Sequence, residues 1–160
     1  MVNVAVLIKQ IIDIDQMKTD SEGKPILTGV PYRLENLSKN AIEAAVRIKE
    51  KQGGKVTGII FGTEAGTSAM KESYAMGVDE GILITGYKGS NPQVTAKAIL
   101  TYLRQIQFDI VILGDQSADS YTGMLPGLIS AGLGIPLLGN ANKIDIEGKV
   151  VRITQVGETE

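Results

Sequence analysis

The 160-residue sequence contains no cysteine and no histidine. Those two absences exclude disulfides, zinc sites of Cys/His type, thiol nucleophiles, Ser-His triads and any general base built on imidazole. Tryptophan is missing and only two phenylalanines occur, and with no thiolate there is no ligand for an iron–sulfur cluster. Basic charge is not in excess either. There are 16 Lys+Arg against 18 Asp+Glu, a net charge of −2, where a nucleic-acid scaffold would normally carry a basic stripe. No run approaches the roughly 20 apolar residues of a membrane span. The first apolar run, Val4 to Ile8, is too short for a signal-peptide core and has no basic residue before it. These absences predict a soluble, cytoplasmic protein with no nucleic-acid partner and no membrane insertion. The length is that of one domain, residues 1–160, and a domain this size hides roughly 70% of the surface its unfolded chain would expose.

What the sequence does have is glycine and an alternating pattern. Nineteen residues are glycine, roughly 12% against a usual level of about 7%. Short apolar runs, Asn3 to Ile8, Val56 to Phe61, Gly81 to Thr85 and Phe108 to Leu113, read as buried parallel strands, which are continuous rather than alternating. Leu137 to Ile144 is a weaker fifth run. Between them lie stretches with helical spacing. Asn40 to Lys51 ends at Gly53-Gly54, and Glu64 to Met76 ends at Gly77. A third helix begins at Asn91-Pro92, an N-cap followed by Pro, with Ala98, Ile99, Tyr102, Leu103 and Ile106 as its apolar stripe. A fourth begins near Ser120 and ends near Gly132 to Gly134. This repetition predicts an α/β fold: a three-layer, doubly wound, mostly parallel sheet of Rossmann-like type. A β-hairpin excursion over about residues 16–29 interrupts the first crossover, and a C-terminal hairpin spans about residues 143–154.

In such a sheet ligands bind at the C-terminal ends of the strands, at the switch in strand order. Three loops converge there: Leu7 to Gln10, Phe61-Gly62-Thr63, and the segment from Gly114 onward. The last reads Gly114-Asp115-Gln116-Ser117-Ala118-Asp119-Ser120-Tyr121-Thr122-Gly123. Two readings stand side by side. A helix N-terminus with Ser120, Thr122 and the Gly123 amide can hold a phosphate. Equally, Asp119 or Ser120 can serve as an N-cap, with Gly123 allowing close packing. There is no G-x-G-x-x-G and no G-x-x-x-x-G-K-[ST] motif. Lys9 ends the first strand beside this loop, either facing a phosphate or solvated. Asp13 and Asp15 read as loop caps. No set of residues assembles a nucleophile, a base and an oxyanion site, so the expectation is a binding protein, not an enzyme, with no catalytic and no metal-ligating residue.

Taken together, Val6-Leu7-Ile8-Lys9-Gln10-Ile11-Ile12-Asp13, Lys39-Asn40-Ala41-Ile42-Glu43-Ala44-Ala45, Ala75-Met76-Gly77-Val78-Asp79-Glu80, Gly114-Asp115-Gln116-Ser117-Ala118-Asp119 and Gly134-Ile135-Pro136 form an ordered set. This set resembles the beta (small) subunit of electron transfer flavoproteins along nearly the whole chain. The resemblance implies an adenine-nucleotide-binding-like α/β fold and a heterodimer with an alpha subunit that holds the main electron-carrying FAD, and through it exchange with redox partner dehydrogenases. It implies that the beta subunit binds AMP, or a second FAD in electron-bifurcating members. Carried over by position, the nucleotide contacts fall on Leu7, Ile8 and Lys9, on Glu35, on Phe61 and Gly62, and on Gly114, Gln116, Asp119, Ser120, Thr122 and Gly123. Gly and the hydroxyls would hold phosphate, Asp119 would shape the loop or cap the helix, and the backbone near Leu7 and Phe61-Gly62 would line adenine and ribose.

The sequence departs from the family pattern in three places. Glu35-Asn36 stands where the family usually has Asn-Pro, and a carboxylate repels a neighbouring phosphate unless it faces away. Tyr121 and Met124 stand where the family's fourth loop has Asp and Gln, which removes polar contacts and adds bulk. Family members also continue beyond the position of Glu160. Two alternatives accompany this reading. One is a stand-alone adenine-nucleotide-binding module of the stress-protein type, whose G-x-x-G followed by Gly-[Ser/Thr] is not found at Gly123 to Gly127. The other is a structural subunit with a decayed pocket, to which Tyr121, Met124 and Glu35 point.

Overall fold

The computed structural model describes residues 1–157. The chain starts with β1 (Val4–Leu7), β2 (Gln10–Ile12), β3 (Lys18–Thr19), β4 (Pro25–Ile26) and β5 (Tyr32–Leu34). It continues with α1 (Asn36–Gln52), β6 (Val56–Phe61), α2 (Thr67–Ala75), β7 (Glu80–Ile84), α3 (Pro92–Leu103) and β8 (Ile110–Ile112). It closes with α4 (Leu125–Leu133), β9 (Ala141–Glu147) and β10 (Val150–Gln155).

Four strands make the central sheet in the order β7-β6-β1-β8, and every pairing in it is parallel. The apolar run of β1 feeds both faces, because successive side chains point to opposite sides. Val4, Val6 and Ile8 pack with Ile42, Ala45 and Val46 of α1 and Ala69 and Met70 of α2. Ala5 and Leu7 pack with Ile99, Leu100 and Leu103 of α3 and Ile129 of α4. The result is three layers, with β1 at the centre and buried along its whole length. From β1 the chain steps outward through β6 to β7, then returns to the far side of β1 to lay down β8. The switch in strand order therefore lies at the C-terminal end of β1.

Two small antiparallel pairs, β2 with β5 and β3 with β4, occupy the first crossover. The β3–β4 turn is held by Asp20, whose Oδ1 accepts from the Glu22 and Lys24 amides at 2.9 Å each.

Three sequence expectations change. First, Leu137 to Ile144 is not a fifth strand of the central sheet. Among the described residues strand β9 pairs only with β10, and Leu137 and Leu138 are each half exposed. Ile144 and Ile146 turn inward against the first core cluster, and Gln52 Nε2 ties the ribbon to α1 by donating to the Ile146 carbonyl at 2.9 Å. Second, the first helix starts at Asn36, four residues ahead of Asn40, because Glu35 caps it. Third, the fourth helix starts at Leu125, not near Ser120. Tyr121 and Gly123 have φ of 48° and 58°, a left-handed backbone that cannot belong to a right-handed helix. On α3 the buried set is Ala96, Ile99, Leu100 and Leu103, while Tyr102 faces outward. Gly132 of α4 lies so close to Leu100 of α3 that a Cβ there would collide with the leucine side chain.

Among the described residues no helix is long and apolar enough to cross a membrane.

Candidate functional site

The site is built where β1, β8 and α1 meet. Gly114, just past β8, packs onto the first turn of α1: a Cβ there would stand 3.0 Å from Leu37 Cβ and 3.1 Å from the Gln116 carbonyl oxygen. Glycine is needed for that close approach. It delivers the segment 115–123 over the end of β1.

Leu7 and Ile8 are buried, with their side chains committed to opposite faces of the sheet. Only their backbone is left to meet a ligand. Lys9 is different. Its amide donates to Ser38 Oγ at 2.9 Å and its carbonyl accepts from the Glu35 amide at 3.0 Å, which locks its backbone to the start of α1. Its side chain crosses to the fourth loop. Lys9 Nζ donates to Asp119 Oδ1 at 2.6 Å and to Ser117 Oγ at 3.0 Å. Ser117 Oγ in turn lies 2.8 Å from Ser120 Oγ. Lys9 thus joins three residues more than a hundred positions further along the chain in one polar cluster at the switch in strand order.

Burial works to raise the Asp119 carboxyl, but the Lys9 ammonium and the Ser117 hydroxyl outweigh it and hold the group below its ordinary value. The cluster is therefore a neutralised one. An anion that reaches Lys9 has to compete with Asp119.

Asp119 and Ser120 do not cap α4. That helix has no side-chain cap, and its first turn holds Pro126. The Asp119 side chain is engaged by Lys9 instead. Thr122 and Gly123 sit in the turn before α4 and are exposed, as is Gln116. Tyr121 is 65% exposed, and its amide donates to the Ser117 carbonyl at 3.0 Å. Its bulk therefore stands in solvent and does not fill the cluster.

Phe61 and Gly62 lie on the other side of β1. Gly62 donates to the Ile84 carbonyl at 2.9 Å and accepts from the Tyr87 amide at 3.1 Å. Phe61 meets the Tyr87 ring edge-on at 5.5 Å. Among the described residues no hydrogen bond joins this pair to the Lys9 cluster. The second loop is coupled to the first by Gln10, whose Nε2 donates to the Ala65 carbonyl at 2.8 Å and to Ser68 Oγ at 2.7 Å.

Glu35 is 2% exposed. Its Oε2 accepts from the Ser38 amide at 2.8 Å, a cap of the first turn. Its Oε1 is buried and has no hydrogen-bond partner among the described residues. Sequence reasoning placed Glu35 near the site but missed this cap and the part played by Ser38. The spacing Glu35-x-x-Ser38 was the available signal. Sequence reasoning does not single out Ser117 as a contact either, although its hydroxyl bridges Lys9 and Ser120.

Among the described residues no group of three or more Asp and Glu side chains is placed to hold a metal ion. Beside the cluster lies an apolar groove of about 330 Å³, lined by Ile11, Ile12, Ile14, Met17 and Leu27 with Ala118 and Asp119 at one end.

Residues 26–160 match the model of the electron transfer flavoprotein domain. The chain belongs to the electron transfer flavoprotein family. Curated relatives that it resembles are beta subunits. The electron transfer flavoprotein subunit beta of Thermoanaerobacterium thermosaccharolyticum is 39% identical over 91% of this chain and 57% of its own length. The subunit beta of Clostridium acetobutylicum is 31% identical over 98% of this chain and 61% of its own. The Mycobacterium tuberculosis subunit beta is 32% identical over 100% of this chain and 63% of its own. The chain thus spans about three-fifths of the length of these relatives. Among solved structures, protein Rv1636 of Mycobacterium tuberculosis is similar over 85% of this chain and 91% of its own, with a TM-score of 0.39 and 17% identity, too distant to bear on the assignment.

Proposed function

We propose that this chain is the nucleotide-binding part of an electron transfer flavoprotein beta subunit. In this reading it binds AMP, or FAD in its place, and pairs with an alpha subunit that carries the main FAD. The pair passes electrons from dehydrogenases in the cytoplasm, and this chain does no chemistry by itself. The observation that carries the reading is the Lys9–Ser117–Asp119–Ser120 cluster at the switch in strand order. It supplies a cation and two hydroxyls where open α/β sheets bind ligands. The uncapped first turn of α4 follows it in the chain.

The outward face of the C-terminal part supports a subunit role. Ile135, Leu137 and Leu138 before β9, Val150 at the start of the ribbon's second strand and Val156 just after it are exposed. Leu137 and Leu138 are adjacent in the chain, and exposed apolar side chains that gather in a patch are common at subunit contacts.

Native mass spectrometry of the purified chain, with a denatured extract beside it, tests the reading. A mass increment of AMP, ADP or FAD identifies the ligand. An empty chain whose melting point does not move with added AMP, ATP or FAD refutes nucleotide binding and leaves a structural subunit with a decayed pocket. Co-expression with an alpha subunit tests the pairing separately.

A further inference from the structure

We propose that the outer edge of β7 takes an added strand: an extended segment of a partner protein that carries acidic side chains among apolar ones. The inference concerns the edge of the sheet opposite β8 and does not rest on nucleotide binding.

The backbone carries the first part of it. Strand β7 ends the sheet order and pairs, among the described residues, only with β6. The Ile84 carbonyl points toward β6, where it accepts from the Gly62 amide at 2.9 Å. Alternate residues of a strand send their N–H and C=O groups to opposite sides in the plane of the sheet. Gly81 and Leu83, out of step with Ile84, therefore present theirs outward. Among the described residues no hydrogen bond occupies those groups. Open edges are usually guarded by lysine, proline or a bulge. Glu80-Gly81-Ile82-Leu83-Ile84 has no lysine and no proline, its register with β6 runs unbroken, and its one charge stands at the first position. An edge of this kind is suited to strand addition, in which main-chain hydrogen bonds give affinity and neighbouring pockets give specificity.

The side chains beside the edge define the occupant. Gly81 and Leu83 line a groove of about 290 Å³ between β7 and α2, with Thr67, Met70, Lys71 and Tyr74 on the helix side. Met70 Sδ and Tyr74 Oη lie so close to Gly81 that a Cβ there would collide with both. Met70 and Leu83 thus give the groove an apolar floor beside the free backbone groups. Lys71 is exposed, and among the described residues no carboxylate pairs with it, whereas the neighbouring acids are taken: Glu72 by Lys39, and Glu80 by Lys55 at 2.9 Å. The groove therefore offers uncompensated positive charge next to apolar contact. A second copy of the chain does not match it. Pairing Gly81 with Leu83 of the copy about a two-fold axis turns Lys71 toward its own equivalent, and like charges facing across a strand pair are destabilising. An acidic segment supplies the opposite charge.

Short capped peptides, titrated into the nitrogen-15-labelled chain and followed by NMR, test the proposal. One is made of valine and threonine with two glutamates; a second has lysines in place of the glutamates; a third is the glutamate peptide methylated on every backbone nitrogen. The glutamate peptide should shift the Gly81 and Leu83 amides most and protect them from hydrogen exchange. It should bind about fivefold or more tighter than the lysine peptide, the scale of exchanging an attraction for a repulsion at an exposed lysine. The methylated peptide, which has no N–H to donate, should bind about tenfold weaker or not at all. Lys71→Glu, at an exposed helical position, should reverse the preference between the glutamate and lysine peptides. The proposal is overturned if no peptide moves the Gly81 and Leu83 amides, if methylation changes nothing, or if both charges bind equally. It is also overturned if these amides become protected as the chain alone is concentrated, because a second copy then covers the edge.

Discussion

Asp79→Ala should destabilise the chain by about 2–3 kcal/mol without touching the polar cluster at the end of β1. The Asp79 Oδ2 accepts from the Val56 amide at 2.8 Å. Lys49 Nζ reaches both carboxylate oxygens, at 2.9 and 3.1 Å, and also donates to the Gly77 carbonyl at 2.7 Å. One side chain thus joins the start of β6, the end of α1 and the turn before β7. Val56 is fully buried, so truncation leaves its amide without a partner, at a cost of about 1–3 kcal/mol. The Lys49 ion pair adds little, since Asp79 is 39% exposed, and pairs of that exposure contribute about 0–1 kcal/mol. At about 2–4 °C per kcal/mol for a chain of this length, the melting point should fall by about 5–10 °C. Asp79→Asn retains an acceptor for the Val56 amide and should lose only about half as much. The pH dependence follows from the same contacts. Burial works to raise the Asp79 carboxyl, but the Val56 amide, Lys49 and Lys55 outweigh it and hold the group below 3.8. A carboxyl lowered in the folded state stabilises fully above its unfolded value and loses that contribution as pH falls through the folded one. Urea titrations between neutral pH and pH 3 should therefore show a gap between the original chain and Asp79→Asn that narrows only below about pH 4. A gap that is absent at neutral pH, or an alanine variant melting within a degree of the original, would refute this account of the Asp79 contacts.

Lys9→Met should lower AMP affinity about tenfold or more in titration calorimetry, while a thermal melt moves little because Lys9 is partly exposed. Asp119→Asn removes the charge that competes for Lys9 and should raise AMP affinity severalfold at low salt, an effect that shrinks as salt is added. Gly114→Ala sets a methyl 3.0 Å from Leu37 Cβ and should cost about 1–2 kcal/mol by chemical denaturation, with weaker nucleotide binding because the fourth loop is pushed off α1.

The layers were legible because each strand carries its own burial signal. Val4 to Leu7 is an unbroken apolar run, and a strand buried on both faces reads that way. Asn91-Pro92 marked the start of α3 correctly, since Asn91 Oδ1 accepts from the Val94 amide at 3.0 Å and Pro fits the first turn. The start of α4 was misplaced because the Asp119-Ser120 pair resembles a cap, while the backbone of Tyr121 and Gly123 turns left-handed before the helix can begin. The helix capped by Glu35 was misplaced for the converse reason. Glutamate is an uncommon cap, so nothing in the sequence marks a helix start ahead of the apolar spacing that begins at Asn40. The Lys9–Asp119 pair spans 110 positions. Nothing local encodes it; it follows only from β1 and β8 being neighbours. The arrangement of loops around β1 could be anticipated from fold class, whereas the neutralisation of Lys9 depends on rotamers that sequence does not display.

The central position of β1 has a consequence for how the chain is made. Val4 pairs with Val56 on one side and with Ile110 on the other. This strand thus leaves the ribosome ahead of both its neighbours, and its second side is covered only after more than a hundred further residues. Until then one side of an entirely apolar strand stands open, the kind of edge that recruits other chains. Such long-range pairing also slows folding. The polar cluster matures on the same schedule, because Lys9 meets Ser117 and Asp119 only when β8 docks. Nascent chains stalled before β8 should therefore depend on chaperones and be blind to nucleotide, whereas those stalled beyond α4 should already respond to it.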